Sequence, residues 1–264
     1  MRKPSKKALR ERAAEVVRLL ELRYPGSLCG LDYEHDYQLL IAVRLSAQCT
    51  DARVNQITPG LFAAYPTLQS LAEAELADLE RIVHPCGFYR HKAKDIKESA
   101  RLLLERHGGR VPDSMEALLA LPGVGRKTAN LLLGDLYGHS GCVVADTHCI
   151  RISGRLGLTD SDDPLKVETQ LRALVDPDKS NDLCHRFVLF GREICKARGP
   201  QCGQCELRPL CPSAETAAGA AAGTGKKAAG KKTAGRKSAA KRDSAEPSGS
   251  ERSVGEIPVG ETAE

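Results

Sequence analysis

The sequence predicts an all-α protein up to about Pro212, followed by a tail that does not fold. Apolar residues recur at steps of three and four along most of this part, which is the spacing of helices with one buried face. The alternation of apolar and polar residues that is typical of strands is scarce. The chain has 264 residues, enough for one large domain or two ordinary ones.

Start and stop signals divide this part of the chain into helices. The first predicted helix begins behind Ser5 and ends at Tyr24-Pro25-Gly26. Its apolar face is formed by residues at helical spacing: Leu9, Ala13, Val16, Val17 and Leu20. Ser70 and Glu73 form a capping box, which predicts a helix that begins at Ser70 and continues to residue 83.

The remaining predicted helices follow in the next hundred residues. One repeats the helical period from Arg90 to His107 and stops at Gly108-Gly109. Asp113 with Glu116, just after a proline, marks the start of another. Two more are predicted at about 164–175 and 180–194.

The sequence contains no signal for secretion and no membrane span. Its basic N-terminus lacks both an unbroken apolar segment and a small-residue cleavage site. No other apolar run is long enough to cross a bilayer. We therefore expect the ten cysteines to be reduced thiols or metal ligands rather than disulfides.

Residues 213–264 combine opposite charges with almost no large apolar side chains. A basic block without acidic residues lies at 226–242, and residues 243–264 are mainly acidic. Such a segment cannot bury enough apolar surface to offset the entropy lost on ordering it. We predict a disordered tail whose basic half either adds sequence-independent affinity for DNA or serves only for solubility.

The stretch LPGVGRKTAN at 121–130 predicts a tight turn between two helices. Gly123 and Gly125 allow backbone conformations closed to other residues and keep side chains away from a ligand. The amides at the start of the second helix would then form a site for a phosphate oxygen, which is a sequence-independent way to bind nucleic acid. An ordinary helical hairpin with a glycine turn explains these residues equally well.

Lys127 follows this turn at a position where a cation is disfavoured. It falls in the first turn of the second helix, at the positive end of the helix dipole. Partial burial and the neighbouring Arg126 would also favour the neutral amine, which is the nucleophilic form. The alternative is a solvated lysine that binds phosphate.

Four of the ten cysteines lie close together near the end of the folded part. They are spaced C-x6-C-x2-C-x5-C, at Cys195, Cys202, Cys205 and Cys211. Four thiols in so short a span strongly indicate a metal centre. Their spacing by itself does not distinguish zinc from an iron–sulfur cluster.

LPGVGRKTAN, followed by VVADTHCIR at 143–151, resembles the endonuclease III family of the helix–hairpin–helix DNA glycosylase superfamily. The resemblance covers about residues 8–212. It implies that Lys127 attacks the sugar, that Asp146 assists, and that the four cysteines hold a 4Fe–4S cluster. It also implies a helical barrel domain at 29–139 and an iron–sulfur domain formed by 1–28 and 140–212. Without the resemblance, Asp146 would be interpreted as a helix cap.

The resemblance also implies how damaged DNA is held. The family flips the nucleotide out of the duplex and fills the gap. RLSAQCTDARVNQ at 44–56 resembles the segment whose glutamine enters that gap, which corresponds to Gln48. CGFYRHKA at 86–93 resembles the segment that wedges the opposite strand, which points to Phe88. Backbone contacts to DNA are expected from the hairpin: Leu121, Gly123, Val124, Gly125 and Arg126.

The combined motifs predict a bifunctional DNA glycosylase and abasic-site lyase that acts on oxidised pyrimidines in base-excision repair. The expected partner is duplex DNA with a damaged base or an abasic site, and the expected protein is a monomer. Its expected location is the cytoplasm, associated with the nucleoid. Two alternatives stay open: an adenine mismatch glycosylase without lyase activity, and a non-catalytic DNA-binding protein.

Overall fold

The structure is a computed structural model that describes residues 4–26 and 29–214. In these residues it is all-helical, with eleven α-helices and no strand, which confirms the predicted class. The helices are α1 Lys6–Arg23, α2 Asp36–Ser46, α3 Asp51–Ala64, α4 Leu68–Glu73, α5 Leu76–Val83, α6 Tyr89–His107, α7 Met115–Leu119, α8 Arg126–Tyr137, α9 Thr147–Arg155, α10 Pro164–Arg172 and α11 Ser180–Glu193. Single 3₁₀ turns lie at His84–Cys86, Pro177–Lys179, Cys202–Gln204 and Arg208–Leu210.

Helices α2 to α8 surround the first of two buried apolar clusters. Leu39, Leu61, Leu79, Ile96 and Leu132, each from a different helix, are among its most buried side chains. Burying one such side chain stabilises the fold by roughly 1.5–3 kcal/mol. This cluster holds α8, and therefore the hairpin before it, against the remaining helices.

A second buried cluster joins α1 to the later helices. Leu20 of α1 belongs to it together with Ile152 of α9 and with Phe187 and Phe190 of α11. Leu131 of α8 packs against both clusters. The buried residues of the first cluster lie between Leu31 and Cys142, whereas those of the second come from α1 and from Val143 onwards, close to the predicted division. The domain boundaries themselves stay a prediction.

Local capping explains most of the helix boundaries. Ser5 accepts a hydrogen bond from the amide of Ala8 at the start of α1, as predicted. Helix α6 ends at Gly108, whose φ of 58° lies in the left-handed region that favours glycine. Helix α7 begins at Met115, and its cap is Ser114, which accepts a hydrogen bond from the amide of Ala117; the predicted cap was Asp113, one residue earlier.

The predicted single helix over 70–83 is wrong. Thr67 is the actual cap, and Ser70 is its partner in the capping box of α4. The helix is interrupted at Ala74, whose ψ of 142° is extended, before α5 begins. The carbonyl of Ala74 accepts a hydrogen bond from Nζ of Lys97 at 2.7 Å, which stabilises the break through a residue on α6. A contact so distant in sequence cannot be recognised from the local pattern.

The structure bears on the predicted absence of a membrane span and does not describe the predicted tail. No helix in the ranges 4–26 and 29–214 is both long enough and apolar enough to cross a bilayer. The predicted tail lies outside the described residues from 215 onwards.

Candidate active site

A cavity of about 280 Å³ lies where α8, α9 and α11 approach one another. Lys127, at the start of α8, and Asp146, at the start of α9, both line it. The other polar or thiol side chains that line it are Cys29, Ser46, Cys49, Asp51, Thr147, His148, Cys184, His185 and Arg192. The fold therefore brings together the two residues that the sequence singled out, although 19 positions separate them along the chain.

Helix α8 presents Lys127 to the cavity from its first turn. The residue one helical turn later, Leu131, lines the same cavity because residues i and i+4 share a helix face. The helix begins at Gly125, which has no side chain to cap the first amides. These amides and the positive end of the helix dipole consequently face the surroundings of Lys127 without a competing side-chain acceptor.

Two influences that the sequence suggested for Lys127 are absent from the structure. The side chain is exposed, so the expected partial burial was wrong. The guanidinium of Arg126 donates two hydrogen bonds of 2.8 Å to the buried carboxylate of Glu168. Because this pair offsets the positive charge of Arg126, the helix N-terminus is the one of the three suggested features that the structure retains at Lys127.

Asp146 combines a structural role with a place in the cavity. Its Oδ1 accepts a hydrogen bond of 2.7 Å from the amide of Cys149, so it caps α9. The residues before it, Val143 to Ala145, are buried and hold the cap in place. One oxygen accepts this bond while the half-buried carboxylate borders the same space as Lys127. The helix-cap interpretation is thus correct and does not exclude a chemical role.

His148 stands beside this pair as a neutral imidazole. Burial lowers its pKa, and the charges of Arg151, Arg192 and Lys127 act in the same direction against the opposing effect of Asp146. Its Nδ1 lies 3.1 Å from Nη2 of Arg151, a guanidinium that can only donate. Nδ1 is therefore the acceptor, which agrees with a structural role for this residue.

Two polar pairs that the sequence pattern did not reveal contribute His185, Asp51 and Arg192 to the wall of the cavity. Nε2 of His185 lies 2.8 Å from Oδ1 of Asp135, and the two residues come from α11 and α8. Arg192 donates to Oδ2 of Asp51 at 2.8 Å. Since the partners of each pair are far apart in sequence, no local spacing announces them.

The hairpin turn is anchored from within. The side chains of Leu121 and Val124 are buried, so only their backbones can meet a ligand. Gly123 has a φ of 70°, and a Cβ there would lie 2.2 Å from Nε of Arg44. A Cβ at Gly125 would meet nothing within 4 Å. Gly123 is thus required by the fold, and Gly125 leaves open space at the start of α8.

Gln48 and Phe88 share an unusual backbone conformation. They are the two non-glycine residues with positive φ among those the structure describes, at 57° and 48°. Holding such a residue in the left-handed region costs on the order of 1–3 kcal/mol and is common at ligand-binding sites. Both side chains are exposed, and 63% of the Phe88 surface is accessible. An exposed aromatic on strained backbone excludes the interpretation of Phe88 as a core residue.

The four cysteines predicted as metal ligands are half-buried, and Cys195, Cys205 and Cys211 pack at the edge of the second cluster. Burial raises the pKa of the Cys205 thiol to about 11, and the thiols of Cys195 and Cys202 act in the same direction. The same two thiols contribute to a raised pKa at Cys211. Cys195 and Cys202 are therefore close enough to influence both Cys205 and Cys211, although no group of three or more side chains in the described part forms a complete metal site.

Comparison with known proteins agrees with this geometry. The model of the family described as HhH-GPD superfamily base excision DNA repair protein matches residues 41–177. Endonuclease III of Synechocystis sp. is 47% identical over 207 residues, which cover 78% of this chain and 94% of that protein. Endonuclease III of Escherichia coli K12 is 36% identical over 75% of this chain and 93% of its own length.

Solved structures resemble the fold as well. A trapped covalent endonuclease III–DNA intermediate, an estranged-adenine complex, is 36% identical with a TM-score of 0.74 and covers 78% of this chain and 97% of its own. A thermostable thymine-DNA glycosylase shares the fold at 22% identity, with a TM-score of 0.70 over 81% of this chain and all of its own. Taken with the shared motifs and the cavity, these matches establish that the chain belongs to the endonuclease III family within the HhH-GPD superfamily of base excision DNA repair proteins.

Proposed function

We propose that this protein is a DNA glycosylase and abasic-site lyase that removes oxidised pyrimidines from duplex DNA. The observation that carries the proposal is the meeting of Lys127 and Asp146 in one cavity. Its volume of about 280 Å³ is close to the lower end of typical small-molecule pockets, which suits a single nucleobase. DNA as the partner is supported by related endonuclease III structures that are bound to it.

The chemistry assigned to the cavity begins with the bond between the damaged base and the sugar. As this bond breaks, positive charge develops at C1′, and the carboxylate of Asp146 stabilises it. The neutral amine of Lys127 forms a bond to C1′, and the base leaves with a proton. The C1′–O4′ bond of the sugar then breaks, O4′ takes up a proton, and the product is a Schiff base, protonated on nitrogen, between Nζ and the opened sugar.

The Schiff base then promotes cleavage of the strand. Its positive charge acidifies the proton on C2′, and loss of that proton expels the phosphate on the 3′ side by β-elimination. Water finally hydrolyses the Schiff base and frees Lys127. The amides at the start of α8, which have no side-chain cap, would hold a DNA phosphate beside these steps.

We further propose that Cys195, Cys202, Cys205 and Cys211 hold a 4Fe–4S cluster. A set of four thiols suits such a cluster, and the contributions of Cys195 and Cys202 to the raised pKa values of Cys205 and Cys211 support a shared site. Nη1 of Arg155 already donates to Sγ of Cys195 at 3.3 Å, so a cation is in place to offset thiolate charge. When bound, the iron–sulfur cluster would cross-link residues 195–211 beside the second buried apolar cluster, which is a structural contribution.

Borohydride trapping on duplex DNA with an abasic site or thymine glycol tests the lyase. A Schiff base is reduced to a stable protein–DNA adduct, so the wild-type protein should be trapped and Lys127→Gln should not. The matched control is Lys166→Gln, an exposed lysine in the first turns of α10 and outside the cavity. If wild-type protein is not trapped, the lyase proposal fails, and a base-release assay separates a hydrolytic glycosylase from a DNA-binding protein.

The variant Asp146→Asn isolates the role of the carboxylate. Asparagine caps a helix about as well as aspartate, so the bond to the Cys149 amide should persist while the charge is lost. We expect base release to fall at least a hundredfold with the melting temperature unchanged. Asp163→Asn makes the same substitution at the cap of α10 and should leave base release unchanged.

Loss of one ligand tests the cluster. Cys202→Ser should abolish both the broad visible absorbance of an iron–sulfur protein and the stoichiometric iron. Cys142→Ala, which removes a buried thiol from the first apolar cluster, should retain both. Zinc in place of iron in wild-type protein would overturn the assignment. The monomeric state and the cytoplasmic, nucleoid-associated location stay predictions.

A further inference from the structure

Lys92 of α6 is a buried lysine without an evident place in the chemistry described above. Only 1% of its surface is exposed, which is rare for a lysine. Its Nζ donates three hydrogen bonds: to the carbonyl oxygens of Leu45 at 2.8 Å, Ala47 at 2.8 Å and Cys86 at 2.9 Å. An ammonium group has three donors, so every one is satisfied by backbone.

The three carbonyls belong to the two segments that carry the strained residues. Leu45 and Ala47 lie at the end of α2, and the carbonyl of Ala47 is part of the peptide bond to Gln48. Cys86 ends the 3₁₀ turn at His84–Cys86, two residues before Phe88. One ammonium group therefore joins the backbone one residue before Gln48 to the backbone two residues before Phe88.

This arrangement supplies what the strained backbone requires. A non-glycine residue stays in the left-handed region only where surrounding contacts determine its conformation. Carbonyls at a helix C-terminus lack partners within the helix, and a cation there is favourable. Lys92 satisfies such carbonyls on α2 and links them to the segment before Phe88, so the two conformations are coupled through one side chain.

We propose that Lys92 is a positioning residue that holds Gln48 and Phe88 as a paired wedge for opening duplex DNA. The inference rests on the proposed function and on the DNA roles that the sequence resemblance implies for these two residues. Lys92 contacts neither DNA nor the reacting sugar, and acts through the backbone of the two segments. Its removal should therefore impair the opening of a duplex and spare chemistry on DNA that is already open.

Comparing two substrates tests this role with Lys92→Met. Methionine is also unbranched, is one atom shorter than lysine, and removes all three donors. Under single-turnover conditions, trapping on a duplex abasic site should slow at least tenfold, whereas trapping on a single-stranded abasic site should change less than twofold. The control is Lys97→Met on the same helix, which removes one bond to the Ala74 carbonyl away from the wedge and should slow neither reaction.

A fluorescence measurement makes the test independent of the lyase. With a stable abasic analogue next to 2-aminopurine in a duplex, saturating wild-type protein should raise the emission as the bases unstack, and Lys92→Met should lose most of this rise. If wild-type protein fails to trap DNA, the proposed lyase fails, and the emission still decides the role of Lys92.

Two outcomes would overturn the inference. The first is an equal slowing on duplex and single-stranded DNA in a variant that melts at the wild-type temperature. The second is a rise in 2-aminopurine emission with Lys92→Met that equals the rise with the wild-type protein. Should Lys92→Met not fold, Lys92→Gln keeps a polar group that reaches fewer carbonyls, and the same duplex-selective loss is expected on a smaller scale.

Discussion

Single residues of the hairpin are constrained by different neighbours. Gly123 has a left-handed backbone conformation, and the side chains of Arg44 and Asp95 occupy the space that a Cβ would need. These two form an ion pair of 2.7 Å between α2 and α6. Gly125, two residues later, has an ordinary φ of −99° and open space around it.

Gly123→Ala should therefore destabilise the protein, and Gly125→Ala should do so much less. The first substitution adds a strained φ and displaces a paired arginine, which we expect to cost about 2–4 kcal/mol of unfolding free energy. The second costs less than about 1 kcal/mol, the penalty of alanine at a helix cap. Urea unfolding of both variants measures this, and equal losses would contradict the assigned cause.

His148 should make stability depend on pH. Burial lowers the pKa of His148 in the folded protein. Below pH 6.5, the ordinary pKa of histidine, this residue therefore binds a proton more readily in the unfolded chain than in the folded protein. Stability from this residue is complete above pH 6.5 and is lost as the pH falls through the folded-state pKa. One group contributes a slope of at most about 1.4 kcal/mol per pH unit.

His148→Gln should consequently flatten the decline of stability between pH 6.5 and 5. Glutamine can still accept a hydrogen bond from Arg151, so the packing against α11 is largely kept. Unfolding free energies measured across this range would show the difference. Identical slopes for the two proteins would mean that His148 keeps its ordinary protonation in the fold.

At the scale of elements, the cavity depends on how closely α8 and α11 approach. At Gly134 of α8, a Cβ would lie 2.5 Å from Cγ of Asn181 on α11. Asn181 donates to Oδ1 of Asp135, the partner of His185, at 2.6 Å. A glycine inside a helix is usually a cost, so this one is explained by the space it leaves.

Gly134→Ala should separate the two helices and displace Lys127 from the cavity. We expect a loss of about 1–3 kcal/mol from overpacking, with slower trapping on abasic DNA. Asn181→Ala in the same chain should recover part of both. The matched control is Gly154→Ala in α9, where nothing lies within 4 Å and helix propensity predicts a gain of up to about 1 kcal/mol. A destabilised control would count against steric overlap as the cause.

At the scale of the whole molecule, the distribution of charge suggests a second DNA contact. Residues 226–242 form a basic block, and residues 243–264 are mainly acidic. Both lie outside the described residues, so this hypothesis comes from the sequence. Each phosphate that the basic block neutralises adds about 0.9 to the slope of log affinity against log salt.

Removal of residues 215–264 should therefore reduce the salt dependence of duplex binding and leave the lyase step intact. Removal of the acidic part alone, 243–264, is the control and should raise the slope if acidic residues compete for the lysines. Binding is measured by anisotropy at several salt concentrations. A slope that is unchanged by the longer deletion would leave the tail without a role in DNA binding.

The sequence was most informative where structure depends on neighbours three or four positions apart. The first helix, its serine cap and the glycine end of α6 follow from such local contacts. It failed at Ala74, where a helical pattern continues through a break that Lys97 stabilises from another helix. It also assigned Arg126 an influence that the distant Glu168 offsets.

By itself, then, the sequence determined the helical class, the places of Lys127 and Asp146 in their motifs and the set of four cysteines. Only the tertiary structure decided that the first two share a cavity, that His185 meets Asp135, and that Lys92 links the segments before Gln48 and Phe88. The physical reason is the range of the contacts. Helix formation and capping are local, whereas cavities and buried hydrogen bonds join residues that lie close together only after the chain has packed.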